Sequence, residues 1–183
     1  MKEAKASPAK SLPRLPDIIS DKPRILFVGI NPGARSGKLG HHFAGKGNPF
    51  WRLLHASGLT PEEIPAIEDH RLASYGYALT NLAPRPTRTA AELRKHELAR
   101  GRRALLAKIE AMEPRVVALV GITLYPLVVE RGATPGPGAK PERLTGARLF
   151  VVPNPSGLNA SFPGFESKLV WFEQLATFAR IRS

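Results

Sequence analysis

Two polar turns in this sequence each follow a short apolar run, and their side chains are of types that bind and orient small molecules. Asn31 lies in Gly29–Gly33 (GINPG), at the end of the apolar run Arg24–Ile30. Asn154–Asn159 (NPSGLN) follows the apolar run Arg148–Pro153 in the same way. An asparagine amide offers one hydrogen-bond acceptor and two donors, which suits recognition of a ligand. Each turn taken singly is also what turn-forming chemistry would choose, so a purely structural interpretation stays open here.

The apolar runs and helical patterns predict an α/β fold around these turns. Four runs read as strands: Arg24–Ile30, Tyr75–Leu79, Arg115–Gly121 and Arg148–Pro153. Between and after them, helices are predicted from Asn48 to Gly58, from a capping box at Thr89–Glu92 to Pro114, from Thr123, and through Phe165, Leu169, Phe172, Ala176 and Ala179. The Gly/Pro-rich stretch from Gly132 to Gly146 is predicted as a loop. Alternating strands and helices indicate a mostly parallel sheet, in which ligands bind beyond the carboxyl ends of the strands, where both turns fall.

Composition points to one globular domain with an anionic partner. The 183 residues carry 27 Lys and Arg against 15 Asp and Glu, a formal charge of +12 that is typical of proteins that bind nucleic acid. Charge alone fits a merely soluble basic protein or another anionic partner equally well. The absence of cysteine excludes disulfides and thiolate chemistry, and the five histidines show no metal-ligand spacing, so neither metal nor cofactor is expected.

The start of the chain predicts a flexible basic tail and a cytoplasmic location. Residues 1–22 are rich in Lys, Ala, Ser and Pro with little periodicity, so the single domain is expected to span residues 23–183. No apolar run is long enough to cross a membrane, and the amino terminus lacks the apolar centre of a signal peptide.

Five segments taken together resemble the mismatch-specific uracil/thymine-DNA glycosylases, a branch of the uracil-DNA glycosylase superfamily. They are Gly29–Gly33, Gly40–Gly45 (GHHFAG), Gly47–Trp51 (GNPFW), Asn81–Thr87 (NLAPRPT) and Asn154–Asn159. The resemblance covers the chain from about Arg24 to Phe178. It implies a three-layer α/β/α sandwich with a central four-stranded parallel sheet, in agreement with the strand count above.

The resemblance also implies an activity and a partner. Such a protein is a monofunctional DNA glycosylase of base-excision repair, which hydrolyses the N-glycosidic bond of a flipped-out uracil or of another 5-substituted or mismatched pyrimidine, especially opposite guanine. Its partner is double-stranded DNA holding such a base, and a monomer without a cofactor, associated with the nucleoid through DNA, is expected. The alternative is a non-catalytic module that binds damaged DNA on the same fold. A further alternative is another branch of the superfamily with a narrower substrate range. No lysine matches a position for a Schiff base, so lyase activity is not expected.

The resemblance assigns catalysis to Asn31. A neutral amide is far too weak a base to take a proton, so its oxygen is expected to position the attacking water. The implied base pocket comprises Ile30, Gly33, His42, Phe43 and Asn81. Phe43 would stack on the base, although an aromatic residue of the core is the other interpretation.

Two pocket positions carry expectations about the substrate. Strict uracil-DNA glycosylases have a tyrosine in the turn GQDPYH that blocks a 5-methyl group, and Gly33 stands at the matching place, so 5-substituted uracils should fit. The Asn81 amide can pair with uracil N3–H and O4 and disfavour cytosine, or it can simply end a strand. Donation by His41 or His42 to the base or a phosphate is undecided from the sequence.

The second turn is implied to probe the duplex. Leu158 matches the wedge that fills the space left by the flipped base, and Gly157 and Asn159 match the groups that face the orphaned guanine. Ala160 stands where some members have arginine, which predicts a less strict preference for the opposite base. Four further residues near the turns are candidate phosphate contacts: Ser36, Lys38, Lys46 and Ser156.

Overall fold

One sheet organises the structure, a computed structural model that describes residues 12–129, 136–157 and 159–181. Its strands are β1 (Ile25–Gly29), β2 (Tyr77–Asn81), β3 (Val116–Val120), β4 (Gly138–Leu144) and β5 (Ala147–Val152). The helices are α1 (Ala34–Leu39), α2 (Phe50–Ala56), α3 (Lys95–Met112), α4 (Tyr125–Val128) and α5 (Glu166–Arg180). Short 3₁₀ helices cover Ala66–Tyr75, Ala90–Glu92 and Ile122–Leu124.

The sheet confirms the predicted fold class and adds one strand. Its order is β2-β1-β3-β5-β4, and the first four of these strands run parallel. The prediction of a loop over Gly132–Gly146 was wrong for residues 138–144, because β4 pairs antiparallel with β5 at the sheet edge. Pro141 and the neighbouring charged residues hide this strand, since an edge strand tolerates proline and a register shift between Lys140 and Arg143.

Helices cover both faces of the sheet and create two core layers. β1 is buried along its whole length, so alternate side chains serve opposite layers. Phe27 packs in the layer beneath α2 and α5, with Phe50 and Phe172. Leu26 packs in the layer beneath α3 and α4, with Leu105. The arrangement is the predicted α/β/α sandwich.

The predicted helix boundaries shift around the segment that follows β2. Thr89 and Glu92 do form a capping box, but it opens only the 3₁₀ turn Ala90–Glu92. The long helix α3 begins at Lys95, where the Glu97 carboxylate accepts a bond from the Arg94 amide at 2.9 Å. Helix α1, directly after the first polar turn, was not predicted because ARSGKL has no apolar helical period.

Residues 12–22, here called the N-terminal segment, pack on the domain, so the flexible tail predicted for residues 1–22 is wrong for this part. Ile18 is 8% exposed and forms an antiparallel bridge with Leu79 of β2. Asp17 accepts a bond from the Thr80 hydroxyl at 2.6 Å and pairs with Lys108 at 2.6 Å. Residues 1–11 lie outside the described residues.

No described helix is both long enough and apolar enough to span a bilayer.

The close approach of α3 to the segment after β2 depends on Gly101. A Cβ at this position would lie 2.1 Å from the Leu82 carbonyl oxygen. Alanine in an open helix is favoured over glycine by about 1 kcal/mol, but here the contact must push the helix away. We expect Gly101→Ala to lower the free energy of unfolding by about 1–3 kcal/mol in urea titrations. Gly157→Ala, where a Cβ meets no atom within 4 Å, is the control; equal or greater stability of Gly101→Ala would contradict this packing.

Candidate active site

A cavity of about 370 Å³ lies at the carboxyl end of β1. The sequence-predicted residues that line it are Ile30, Asn31, Gly33, Ser36, His42, Phe43 and Ser156. We call it the Asn31 cavity. The sheet brings the two polar turns to one edge, because Asn31 follows β1 and Asn154 follows β5 among parallel strands.

Hydrogen bonds determine which end of the Asn31 amide faces the cavity. The two hydrogens of its Nδ2 are shared among three oxygens: the Thr87 hydroxyl at 2.7 Å, the Arg85 carbonyl at 3.0 Å and the Pro32 carbonyl at 3.1 Å. The Thr87 hydroxyl donates its proton to the Thr89 carbonyl at 2.7 Å. Toward Asn31 it can therefore only accept a hydrogen bond. The amide nitrogen is therefore on the protein side. Among the described residues, nothing donates to Asn31 Oδ1, which is left to bind a ligand or water.

Asn31 is held by the segment Asn81–Thr87, whose Arg85 and Thr87 have no role predicted from the sequence. Thr87 pairs by its main chain with the turn after β1, since its amide donates to the Pro32 carbonyl at 3.1 Å. Arg85 is tied to α3 by two bonds to the Glu97 carboxylate, at 2.7 and 2.9 Å. These bonds and the Arg94 amide lower the pKa of Glu97 to about 2. The Arg85 side chain is thus anchored on α3 while its carbonyl accepts a hydrogen bond from Asn31.

The described wall of the Asn31 cavity carries basic but no acidic side chains. Among its described lining residues there is no Asp or Glu, whereas Arg35 and Arg88 both belong to its wall. The Arg35 guanidinium Nε donates to the Ala44 carbonyl at 3.2 Å. The cavity therefore favours a ligand that carries or develops negative charge. No cluster of three or more possible metal-ligating side chains occurs in the described part of the chain.

Gly33 leaves the mouth of the cavity open. A Cβ built there meets no heavy atom within 4 Å. The residue precedes α1 with φ −66° and ψ 158°, which any side chain can adopt. The glycine is therefore not demanded by the backbone, and its effect is to leave space.

Phe43 lines the cavity while also packing on the core. Its ring stacks on Phe50 with centroids 3.9 Å apart and planes 20° from parallel. The residue is only half-buried and has the positive φ of 51°, which is uncommon for an aromatic residue. The two interpretations in the sequence analysis thus coexist, because one ring face rests on the core beside a cavity that the residue lines.

Asn81 lies beside the Asn31 cavity and lines a second one. This outer cavity, of about 770 Å³, lies between the N-terminal segment and α3. The Asn81 Nδ2 is 3.3 Å from His42 Nδ1, so the side chain turns toward the Asn31 cavity wall. β1 and β2 place Asn81 opposite Gly29, and a Cβ on Gly29 would lie 2.6 Å from Asn81 Oδ1. Only glycine permits this approach.

The two neighbouring histidines have different surroundings. His42 is 3% exposed, and burial lowers the pKa of its ring. Its Nε2 is 2.8 Å from the Pro16 carbonyl. His41 is more exposed, and its Nδ1 lies 3.1 Å from the Asp69 carboxylate. A direct phosphate contact is therefore sterically easier for His41 than for His42.

The predicted DNA contacts fall into two groups. Lys38, Lys46 and Gly157 are exposed. Ser36 is 5% exposed and accepts a bond from the Ala44 amide at 3.1 Å, which indicates a role in holding the loop rather than in reaching a phosphate.

The second polar turn is stabilised internally. The Asn154 Oδ1 accepts from the Ser156 amide at 2.9 Å, and the Asn159 side chain donates to the Asn154 carbonyl at 3.0 Å. The predicted wedge Leu158 lies outside the described residues, and Ala160 is exposed.

The ion pair that holds Arg85 predicts a pH-dependent stability. Because the pKa of Glu97 falls from 4.5 to about 2 on folding, its contribution is complete above pH 4.5 and is lost as the pH falls through 2. We expect Glu97→Gln to be less stable than the parent at neutral pH, with the difference shrinking below pH 4.5. Denaturant titrations across this range measure it. Glu110→Gln, an exposed carboxylate on the same helix, is the control; a constant difference down to pH 2 would refute the role of the pair.

Comparison with models of protein families relates this chain to a known superfamily. The model of the uracil DNA glycosylase superfamily matches residues 16–176. The matched region begins within the N-terminal segment and includes every residue that lines the Asn31 cavity except Leu15.

Proposed function

The chain belongs to the uracil DNA glycosylase superfamily, and we propose that it is a monofunctional glycosylase that removes uracil and 5-substituted or mismatched pyrimidines from double-stranded DNA. Members of the superfamily are DNA glycosylases, hydrolases that act on the bond between base and deoxyribose. The orientation of Asn31 carries the proposal. Its Nδ2 is occupied by Thr87 and Arg85, so its oxygen is the group offered to a water in a cavity whose described lining residues include no carboxylate.

The proposed reaction is an attack by water on the sugar. The bond between C1′ and the base breaks, and its electron pair leaves with the base as an anion while the sugar gains oxocarbenium character. A water held by Asn31 Oδ1 forms the new bond to C1′ and loses its proton to solvent, since a neutral amide cannot take it. Placing the water is the contribution of Asn31. The basic wall formed by Arg35 and Arg88 favours the departing anion.

The pocket is proposed to hold a flipped base against Phe43. Stacking of a base on an aromatic ring is worth about 1–3 kcal/mol in single-strand binders. Gly33 leaves room beside this position for a substituent on C5, which supports substrates beyond plain uracil. The finer assignment to the mismatch-specific branch depends on this space and on the polar turn that contains Ser156.

Association with DNA is proposed to begin with attraction of the phosphates by the positive charge. The second polar turn then contacts the bases of the duplex. The formal charge of +12 attracts phosphates without regard to sequence. Lys38 and Lys46, which are exposed and lie near the first polar turn in the sequence, are the proposed phosphate contacts. Leu158 remains the predicted wedge, with Gly157 and Asn159 facing the orphaned guanine. The predicted weaker preference for the opposite base rests on Ala160.

Removal of the water-positioning amide should abolish base release. We expect Asn31→Ala to lower the single-turnover rate on a G·U duplex by about 10²-fold or more while DNA affinity stays near the parental value. Thr87→Ala removes one of the three acceptors that hold the Asn31 amide nitrogen, and loss of this hydrogen bond predicts about a tenfold decrease in the same rate. Alkali cleavage of a labelled duplex after reaction measures both, with A·U, G·T and single-stranded uracil as further substrates.

Thr177→Ala, on the exposed side of α5, is the matched control and should retain full activity. Parental rates in Asn31→Ala would overturn the assignment. Tight binding by the parent without release from any substrate would instead favour a non-catalytic module that binds damaged DNA.

A side chain at Gly33 should narrow the substrate range. Gly33→Tyr fits the backbone and projects into open space, so it should leave excision of plain uracil within several-fold of the parent. Rejection of a methyl-sized group typically amounts to about 10–200-fold, and we expect a loss of this order for 5-substituted uracils. Gly33→Ala, which is too short to block C5, is the control. Unchanged excision of 5-substituted bases by Gly33→Tyr would show that the pocket is arranged differently.

A further inference from the structure

The imidazole of His42 connects the N-terminal segment to the end of β2. Its Nε2 lies 2.8 Å from the Pro16 carbonyl, and its Nδ1 lies 3.3 Å from Asn81 Nδ2. The main chain of His42 is held on both sides, because its amide donates to Asp69 Oδ2 at 2.8 Å and its carbonyl accepts from Trp51 Nε1 at 3.1 Å. The ring is therefore buried in a fixed place between two polar partners.

The Pro16 carbonyl decides where the imidazole carries its proton. A carbonyl oxygen can only accept, so the proton of neutral His42 must be on Nε2. The Nδ1 atom then has a lone pair and requires a donor. Of the two ends of the Asn81 amide, only the nitrogen can supply one. This order of bonds assigns the amide orientation from chemistry, although nitrogen and oxygen have nearly the same shape.

The other end of the Asn81 amide then borders the base pocket. A Cβ on Gly29 would lie 2.6 Å from Asn81 Oδ1 and 3.5 Å from the tip of the Phe43 ring, so both groups border the same small space. We propose that Pro16 and His42 act as a relay that holds the Asn81 oxygen toward the flipped base and thereby selects uracil-type over cytosine-type edges. This inference rests on the proposed function, and it makes His42 a positioning residue.

The selectivity follows from the edges of the two bases. Uracil presents an N3–H donor and the O4 acceptor, which match the Asn81 oxygen and its second amide hydrogen. Cytosine presents a bare N3 and an amino group, so the same amide would face acceptor with acceptor and donor with donor. Rotating the amide would suit cytosine, but it would place Asn81 Oδ1 against the lone pair of His42 Nδ1. The relay makes this rotation unfavourable.

Protonation of His42 should release the constraint. A proton on Nδ1 faces the Asn81 amide with a donor, so the amide must turn its oxygen to the ring and its nitrogen to the base. The charged and titratable groups near the ring are Asp69, Asp17 and His41. Burial is the largest influence and lowers the pKa below the ordinary 6.5, so the relay is complete at neutral pH and fails as the pH falls through the lowered value.

The test compares two bases that differ only at the edge read by Asn81. Duplexes carry 5-fluorouracil or 5-fluorocytosine opposite guanine, since fluorine makes both bases better leaving groups. The selectivity is the single-turnover rate for 5-fluorouracil divided by the rate for 5-fluorocytosine. We expect His42→Leu to lower this ratio about tenfold, equivalent to about 1.4 kcal/mol. His42→Gln, which keeps one donor and one acceptor, should restore part of the ratio. His70→Leu, an exposed histidine, is the control. A parallel fall in both rates with an unchanged ratio would refute the relay and leave His42 a merely structural residue.

Two measurements on the parent protein need no variant and guard against misfolding of His42→Leu. Nitrogen chemical shifts of the His42 ring should show a protonated Nε2 and a bare Nδ1, and the reverse tautomer would overturn the proposal. The ratio of the 5-fluorouracil rate to the 5-fluorocytosine rate should fall when the pH is lowered below the ordinary histidine pKa. A ratio that stays constant would contradict the relay. If the parent releases no base from any duplex, the proposed function fails, while the ring nitrogen shifts still test the relay by themselves.

Discussion

An amide side chain has two ends of nearly equal shape and opposite hydrogen-bonding character, and the site depends on fixing which end faces the cavity. Asn31 is fixed by a hydroxyl and two carbonyls that can only accept from it. Asn81 is fixed by an imidazole nitrogen that needs a donor. In both cases the amide nitrogen is used by the protein and the oxygen is left for the ligand. Shape alone would leave each orientation undetermined, since rotation by a half turn changes volume hardly at all.

Main-chain pairing also supports these orientations. Parallel pairing of β1 and β2 brings Gly29 opposite Asn81, and the missing Cβ lets the amide approach. A bridge between Gly33 and Thr87 places the Thr87 hydroxyl under Asn31. Because the first connection is part of the sheet and the second follows directly after β1 and β2, the rigidity of the buried strands extends to the two amides. Main-chain pairing and the Arg85–Glu97 ion pair together keep the site ordered.

Sequence patterns predicted the parts of this arrangement that are local. A strand buried on both faces reads as a continuous apolar run, so β1, β3 and β5 and the turns that follow them were recognisable. Strand β4 was not, because its edge position permits Pro141 and exposed charges. The N-terminal segment has a composition typical of disorder, and its packing depends on a few anchors such as Ile18 and Leu15.

Relations between distant residues were beyond the reach of these patterns. Thr87 lies 56 positions after Asn31, and its role follows only from the bond that joins them. Thr87 belongs to one of the segments that carry the family resemblance, but membership of a motif does not say which side chain supports which. The superfamily is confirmed by the match over residues 16–176, whereas the mismatch-specific branch stays a prediction that depends on Gly33 and on the second polar turn.

The acceptor that sets the His42 tautomer is a carbonyl of the main chain, not a side chain. Substituting the residue at position 16 therefore leaves this oxygen in place as long as the segment keeps its path. That path is held by the Ile18 bridge to β2 and the Asp17 pair with Lys108. Substitutions of Pro16 would therefore leave the tautomer of the imidazole unchanged. Substitutions of Ile18 or Asp17 would alter it indirectly, because they displace the segment that carries the carbonyl. An ordinary scan of single side chains would accordingly find the supports and miss the oxygen itself.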